Sequence, residues 1–101
     1  MLGSEAETMS KMVNKNFDIQ IAPNKPVFVI SVVSTIVRLP IWTLRKLDQM
    51  GVVKAKRMGK KTRCYSQIQI TQLNYIHYLL EEKNVNIGAI KIFLEINKNF
   101  P

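Results

Sequence analysis

The sequence predicts a small, mainly α-helical domain that carries one short β-ribbon. Three observations support this fold class. Apolar residues recur at helical spacing in the second half of the chain, Pro40 and Gly51 bracket one short amphipathic segment, and a basic stretch turns at Gly59. With 101 residues of ordinary globular composition, the chain has room for one domain, which excludes a multidomain enzyme.

The chain begins with a segment that shows no sustained hydrophobic period. Residues 1–25 contain several Asn and Ser residues together with Gly3 and Pro23. We expect residues 1–25 to form a flexible N-terminal arm, residues 26–97 to form the folded domain, and residues 98–101 to form a short tail.

Two interpretations stay open for residues 31–37. The β-branched residues of this segment favour a strand by propensity. Ser31, however, is a plausible helix N-cap, and Val33, Ile36 and Val37 share one helical face. A short β-rich run at residues 27–30 precedes the segment, and the chain is expected to break at Arg38.

Pro40 begins a second short helix, because proline fits the first helical turn, where its missing N–H has no intrahelical partner. Gly51 ends the helix as a C-terminal cap. Between them, the apolar residues fall on one face and the basic residues on the other. Two short helices joined by a tight break are typical of a helix-turn-helix.

A ribbon and two further helices complete the pattern. The segment KAKRMGKKTRCYS, residues 54–66, predicts two strands that turn near Gly59. Ser66 and Gln69 have capping-box spacing, which predicts a third helix to about Lys83. Asn86 is positioned to cap a fourth helix that ends near Asn97.

The charge is concentrated in one part of the chain. The formal net charge is +8, and residues 38–63 alone contain nine basic residues and one acid, Asp48, so the rest of the chain sums to zero. Such segregation is typical of nucleic-acid binding, because cations that neutralise phosphates release condensed counterions. A solvated, solubilising surface is the alternative.

Several classes of protein are excluded by what the chain contains. One cysteine, Cys64, allows no internal disulfide, and with one histidine, His77, it cannot supply a four-ligand zinc site. No nucleophile with a base, no glycine-rich phosphate loop and no apolar run near the roughly 20 residues of a membrane span is present. We therefore expect a cytoplasmic protein that is neither an enzyme nor membrane-bound, without a cofactor.

Four segments carry a resemblance to a known family: PVFVIS (26–31), TLRKLDQMGVV (43–53), RCYS (63–66) and VNIGAIKIFLEI (85–96). With them, residues 26–96 resemble the DNA-binding domain of the MerR family of bacterial transcription regulators, most closely its HspR-like heat-shock-repressor branch. The resemblance implies a winged helix-turn-helix with helices near 31–37 and 40–50, a two-stranded wing near 52–65 and a supporting helix pair. It favours the helix over the strand at residues 31–37.

The chain departs from the family pattern at identifiable positions. Arg38 replaces a glycine or other small residue in the turn, and Lys46 and Leu47 follow the threonine-leucine-arginine where the family commonly has tyrosine or an aromatic pair. The long dimerisation helix and effector domain of the family have no counterpart in the sequence. We therefore expect at most a weak homodimer, through Ile92, Ile96 and Phe100, and no small-molecule effector is evident.

The predicted function is sequence-specific binding of double-stranded DNA by a transcription regulator, as a repressor acting at the bacterial nucleoid. Helix 40–50 would enter the major groove while the wing follows the flanking backbone. The candidate DNA-binding residues are Trp42, Thr43, Arg45, Lys46, Lys56, Arg57, Lys60, Lys61, Arg63 and Tyr65.

Alternatives remain open for some of these residues and for the function. Arg45 could clamp a guanine or a phosphate, or pair with Asp48 three residues on. Tyr65 could donate its hydroxyl to a phosphate or lie at the edge of the core. The second candidate function is a protein-interaction module that docks through the apolar face of residues 87–96.

Overall fold

The computed structural model describes residues 20–97 and 100–101. Most of the predicted N-terminal arm, and residues 98 and 99 of the predicted tail, lie outside this part. In chain order the elements are β1 (Phe28–Val29), α1 (Ile30–Val37), α2 (Ile41–Gln49), β2 (Lys56–Met58), β3 (Thr62–Tyr65), α3 (Gln67–Glu81), a 3₁₀ turn (Ile87–Ala89) and α4 (Ile90–Ile96).

Residues 30–37 form a helix, which decides between the two interpretations of this segment. The predicted N-cap is wrong: Val29 precedes the helix without a side-chain cap, and Ser31 lies inside it. Arg38 ends α1 in the left-handed conformation, with φ 58° and ψ 38°, which costs a non-glycine residue about 1–2 kcal/mol. The Ser34 hydroxyl donates to the Leu39 carbonyl at 2.6 Å and closes the turn.

α2 is bounded by the two residues that predicted it. Pro40 lies at the N-cap, so the helix begins at Ile41, one residue after the predicted start, and the Pro40 carbonyl accepts from the amide of Leu44 at 3.2 Å. At the other end Gly51 has φ 76°. The amide of Val52 donates to the Leu47 carbonyl at 2.9 Å, and that of Gly51 to the Asp48 carbonyl at 3.0 Å, which is the Schellman pattern.

The sheet has three strands in the described part of the chain, in the order β1-β3-β2, whereas the sequence predicted only the two-stranded wing. β2 and β3 form the predicted hairpin, which turns through Gly59 at φ 68°. β1 pairs antiparallel with β3, with Phe28 opposite Tyr65. The β-rich run before α1 therefore covers an edge of β3 that would otherwise be open.

α3 begins with the predicted capping box: the Ser66 hydroxyl accepts from the Gln69 amide at 3.2 Å, and the Gln69 side chain accepts from the Ser66 amide at 3.0 Å. The helix ends at Glu81, two residues before its predicted end. The Asn86 side chain caps the 3₁₀ turn ahead of α4. The Pro23 carbonyl accepts from the Ile68 amide at 3.1 Å, so the described end of the predicted arm is attached to α3.

The hydrophobic core draws on every helix and on β3. Its buried members are Val33, Val37, Leu39, Leu44, Leu47, Val53, Tyr65, Leu73, Ile76, Leu79 and Ile90. This packing leaves the outer faces of α2 and of the wing uncovered. Among the described residues, no helix is long and apolar enough to cross a membrane.

Candidate nucleic-acid interface

The outer face of α2 presents an aromatic residue and two cations. Trp42, Arg45 and Lys46 are exposed, and Trp42 retains 66% of its accessible surface. Thr43 was predicted on this face, but it is only 4% exposed and lies one turn before the buried Leu47. A residue four positions before a core leucine shares its helix face, so Thr43 faces the core. We therefore remove Thr43 from the candidate DNA-binding residues.

The wing carries four further exposed cations. Lys56 and Arg57 of β2, and Lys60 and Lys61 of the turn, are all exposed. The Arg57 guanidinium makes one long hydrogen bond, 3.4 Å to the Lys61 carbonyl. Their charge is therefore available to a polyanion.

Arg63 differs from its neighbours on the wing, because it is paired. Its Nε lies 2.8 Å from Oδ2 of Asp48, and the two side chains are only 15% and 14% exposed. The register places Arg57 directly opposite Arg63, a like-charge arrangement that the Asp48 carboxylate compensates. Arg63 therefore has a partner within the protein through its Nε, and its predicted contact with DNA stays a prediction. The alternative pairing of Asp48 with Arg45 is replaced by this one.

Tyr65 is a core residue, which decides between its two open interpretations and corrects its prediction as a phosphate donor. It is fully buried, and its hydroxyl has no hydrogen-bond partner among the described residues. Burial raises the pKa of Tyr65 from 10.0 to about 12; the Asp48 carboxylate acts in the same direction, and Arg63 and Arg57 oppose it. A hydroxyl in this position cannot reach a DNA backbone.

The ion pair also fixes where the wing lies. Asp48 and Arg45 are three residues apart in α2 and therefore occupy neighbouring positions on the helix surface. Because Arg63 of β3 contacts Asp48, the wing lies beside the part of α2 that carries Arg45. We use the term cationic surface for the exposed basic residues of α2 and the wing: Arg45, Lys46, Lys56, Arg57, Lys60 and Lys61.

The residue that sequence reasoning missed here is Asp48. Its Oδ1 accepts from the Ala55 amide at 3.2 Å and its Oδ2 accepts from Arg63, so one carboxylate is bonded both to the residue before β2 and to a residue of β3. A signal was present, since Asp48 is the one acid in a segment with nine basic residues. Within the described residues, no group of three or more His, Cys, Asp or Glu is placed to hold a metal ion.

Comparison with known proteins places this arrangement in a family. The family described as "MerR HTH family regulatory protein" matches residues 28–95. The chain belongs to the MerR family. A protein named "Putative heat shock protein HspR", from Streptomyces coelicolor, is 31% identical over 77 residues, which are 76% of this chain and 51% of that protein. The chain thus spans about half the length of this curated relative.

The match confirms the predicted MerR resemblance and its HspR-like branch. It runs from β1 almost to the end of α4, so the three-stranded sheet, the helix-turn-helix and the cationic surface all lie inside the MerR region, and the family is one of DNA-binding transcription regulators. Of the two positions where the chain departs from the MerR pattern in α2, Lys46 is exposed and Leu47 is buried.

Proposed function

We propose that this chain binds double-stranded DNA sequence-specifically as a transcription regulator, and that it acts as a repressor. The observation that carries the proposal is the cationic surface: a solvent-facing helix and a basic wing held side by side by the Asp48–Arg63 pair. A major groove roughly 12 Å wide admits α2, and the wing then lies over the flanking sugar-phosphate backbone.

The exposed side chains have distinct roles in this proposal. Arg45 has the fork geometry for bidentate contact with a guanine edge or a phosphate. Trp42 offers an apolar face to a sugar or a base edge, and Lys46 donates to a phosphate. Lys56, Arg57, Lys60 and Lys61 contact the backbone, so they contribute to affinity more than to sequence preference.

The relative's printed name supports a link to heat shock, and we extend it to this chain as part of the proposal. A repressor acts at the chromosome, so we place the protein in the cytoplasm, at the bacterial nucleoid. Double-stranded DNA is its proposed partner, and no effector is proposed. Ile92 and Ile96, 61% and 77% exposed on α4, are the proposed contact of a weak homodimer.

A titration of duplex DNA at increasing salt tests the proposal. About four to six phosphate contacts predict that the logarithm of the binding constant falls against the logarithm of salt concentration with a slope of roughly −4 to −5. Duplexes selected from a random pool should bind more tightly than scrambled duplexes of the same length, because base contacts add to the backbone term. A flat salt response, or equal affinity for both duplexes, would contradict it.

The second candidate function is a protein-interaction module that uses α4. Its support is the exposure of Ile92 and Ile96 four residues apart on one helix face. Replacing both with serine discriminates between the two functions. Under the DNA-binding proposal the double variant binds a single selected half-site as tightly as the wild type does. An interaction module would instead bind a protein partner with an affinity that does not depend on salt, and the double variant would lose this binding.

A further inference from the structure

We propose that Asp48 is a positioning residue, which holds the wing at the angle that lets α2 and the wing contact one duplex together. The inference rests on the proposed DNA-binding function and adds a specific residue to it. Asp48 itself contacts no DNA in this account. It acts through Arg63 and through the backbone of the chain that leads into β2.

The first support is the geometry of one carboxylate with two donors. Oδ2 accepts from Nε of Arg63 in β3 at 2.8 Å, and Oδ1 accepts from the amide of Ala55, the residue before β2, at 3.2 Å. β3 and the residue that leads into β2 are therefore both attached to the last turn of α2. A rotation of the hairpin away from the helix would break both bonds.

The second support is the partial burial of the pair. With side chains 14% and 15% exposed, the pair is largely shielded from mobile ions, unlike the exposed cations around it. Exposed ion pairs contribute little, but removing one partner of a buried pair leaves a charge without compensation. The attachment is therefore expected to persist at salt concentrations that screen the cationic surface.

The root of the wing is fixed from the opposite side as well. The Gln69 side chain, already part of the α3 capping box, donates from Nε2 to the Lys54 carbonyl at 2.6 Å. Tyr65 anchors the end of β3 in the core. The free end of the hairpin extends from these points, and Asp48 is the contact that holds it laterally against α2.

The charge of Asp48 makes the proposal testable, because electrostatics and positioning predict opposite changes in duplex affinity when the charge is removed. A carboxylate within a surface that binds phosphates opposes binding, so electrostatics alone predicts that its removal strengthens binding. The positioning role predicts the opposite, since the wing loses its alignment. Asp48→Asn is nearly isosteric: its amide oxygen still accepts from Ala55, but its amide N–H groups cannot accept from Arg63.

The experiment compares duplex binding by the full chain, Asp48→Asn and Glu82→Gln. Glu82 is exposed at the end of α3, so Glu82→Gln makes the same charge change, from +8 to +9, away from the wing. We expect Asp48→Asn to bind roughly tenfold more weakly, equivalent to about 1.4 kcal/mol, and Glu82→Gln to bind as tightly as the wild type or slightly more tightly. Asp48→Asn binding at least as tightly as the wild type would overturn the positioning role.

The salt slope separates positioning from a general loss of stability. Measured well below the unfolding midpoint, Asp48→Asn should show a slope shallower by about one to two units, because wing phosphates are no longer contacted. An unchanged slope would overturn the proposal even if the affinity fell. Failure of the proposed function would look different, since the wild type itself would then show no salt-dependent duplex binding.

A double-variant cycle tests whether the pair acts as one unit. Arg63→Gln removes the other partner, and Asp48→Asn combined with Arg63→Gln removes the pair without leaving a partly buried charge uncompensated. If Asp48 acts through Arg63, the double variant loses no more affinity than Arg63→Gln alone. Additive losses in the logarithm of affinity would overturn the coupling.

Discussion

The hydroxyl of Tyr65 is a buried polar group at the base of the wing. It has no hydrogen-bond partner among the described residues, and a buried group in that state costs roughly 1–3 kcal/mol. The ring supplies most of the packing of the fully buried side chain, so removing the hydroxyl leaves only the space of one oxygen atom.

Tyr65→Phe is therefore expected to raise the free energy of unfolding by about 1 kcal/mol. Because the hydroxyl cannot reach a phosphate, duplex affinity should stay unchanged. Denaturant unfolding and a duplex titration measure the two quantities. A weaker duplex affinity at unchanged stability would show that the hydroxyl contacts DNA after all.

The raised pKa of Tyr65 also predicts how stability depends on alkaline pH. Between pH 10 and about 12 the unfolded chain loses the phenol proton while the folded chain keeps it, so the folded state binds more protons and the free energy of unfolding falls as pH rises. Tyr65→Phe lacks this titration. Unfolding measured across this range should therefore show a steeper fall for the wild type than for the variant, and parallel curves would contradict the pKa.

Trp42 is the single tryptophan of the chain and lies 66% exposed on α2. Its fluorescence therefore reports on this one position. Saturating duplex should protect the indole from acrylamide, a neutral quencher, because the DNA covers the outer face of the helix. Unchanged acrylamide quenching in the saturated complex would place α2 outside the groove.

At the scale of the elements, the ends of the two helices of the helix-turn-helix are set by backbone conformation. α1 ends at Arg38 and α2 is followed by Gly51, both with positive φ, yet only glycine adopts this region without strain. A Cβ at Gly51 would meet only the end of the Lys91 side chain, at 3.9 Å, so a substitution there tests the conformation alone.

Arg38→Gly and Gly51→Ala should change stability in opposite directions. The first relieves left-handed strain and raises the free energy of unfolding, and the second introduces strain and lowers it, each by about 1 kcal/mol. Thermal unfolding of both variants checks the signs. A Gly51→Ala protein as stable as the wild type would contradict the role of this residue as the helix cap.

The elements that the sequence predicted well are those with local signals. Pro40 and Gly51 bracket α2, and Ser66 with Gln69 fixes the start of α3, because each signal acts within one helical turn. Local signals could not predict two features: the strand that pairs with the β-rich run before α1, and the first residue of α1. β1 is only two residues long and exists because β3 pairs with it, and Ser31 is not a cap because the helix begins before it.

At the scale of the whole molecule, the net charge of +8 arises within residues 38–63, and most of the basic residues of this segment lie on one helix and one hairpin. The sequence predicted which basic residues of α2 and the wing form the cationic surface. It could not predict which basic residue would be paired, because Asp48 and Arg63 are 15 residues apart and meet only after the hairpin packs on α2. Thr43 was misassigned and the two interpretations of Tyr65 stayed open, because the burial of both residues depends on packing between elements.

The central claim is that α2, as part of the cationic surface, contacts base edges in the major groove. One comparison of two variants tests this claim most directly. Arg45→Ala and Lys25→Ala each remove one exposed positive charge, the first from α2 and the second from the segment before β1. For a duplex selected from a random pool, we predict that Arg45→Ala costs about 1–3 kcal/mol of binding free energy and that Lys25→Ala changes the affinity by less than about twofold. Equal losses from the two variants would contradict the assignment of α2 as the recognition helix.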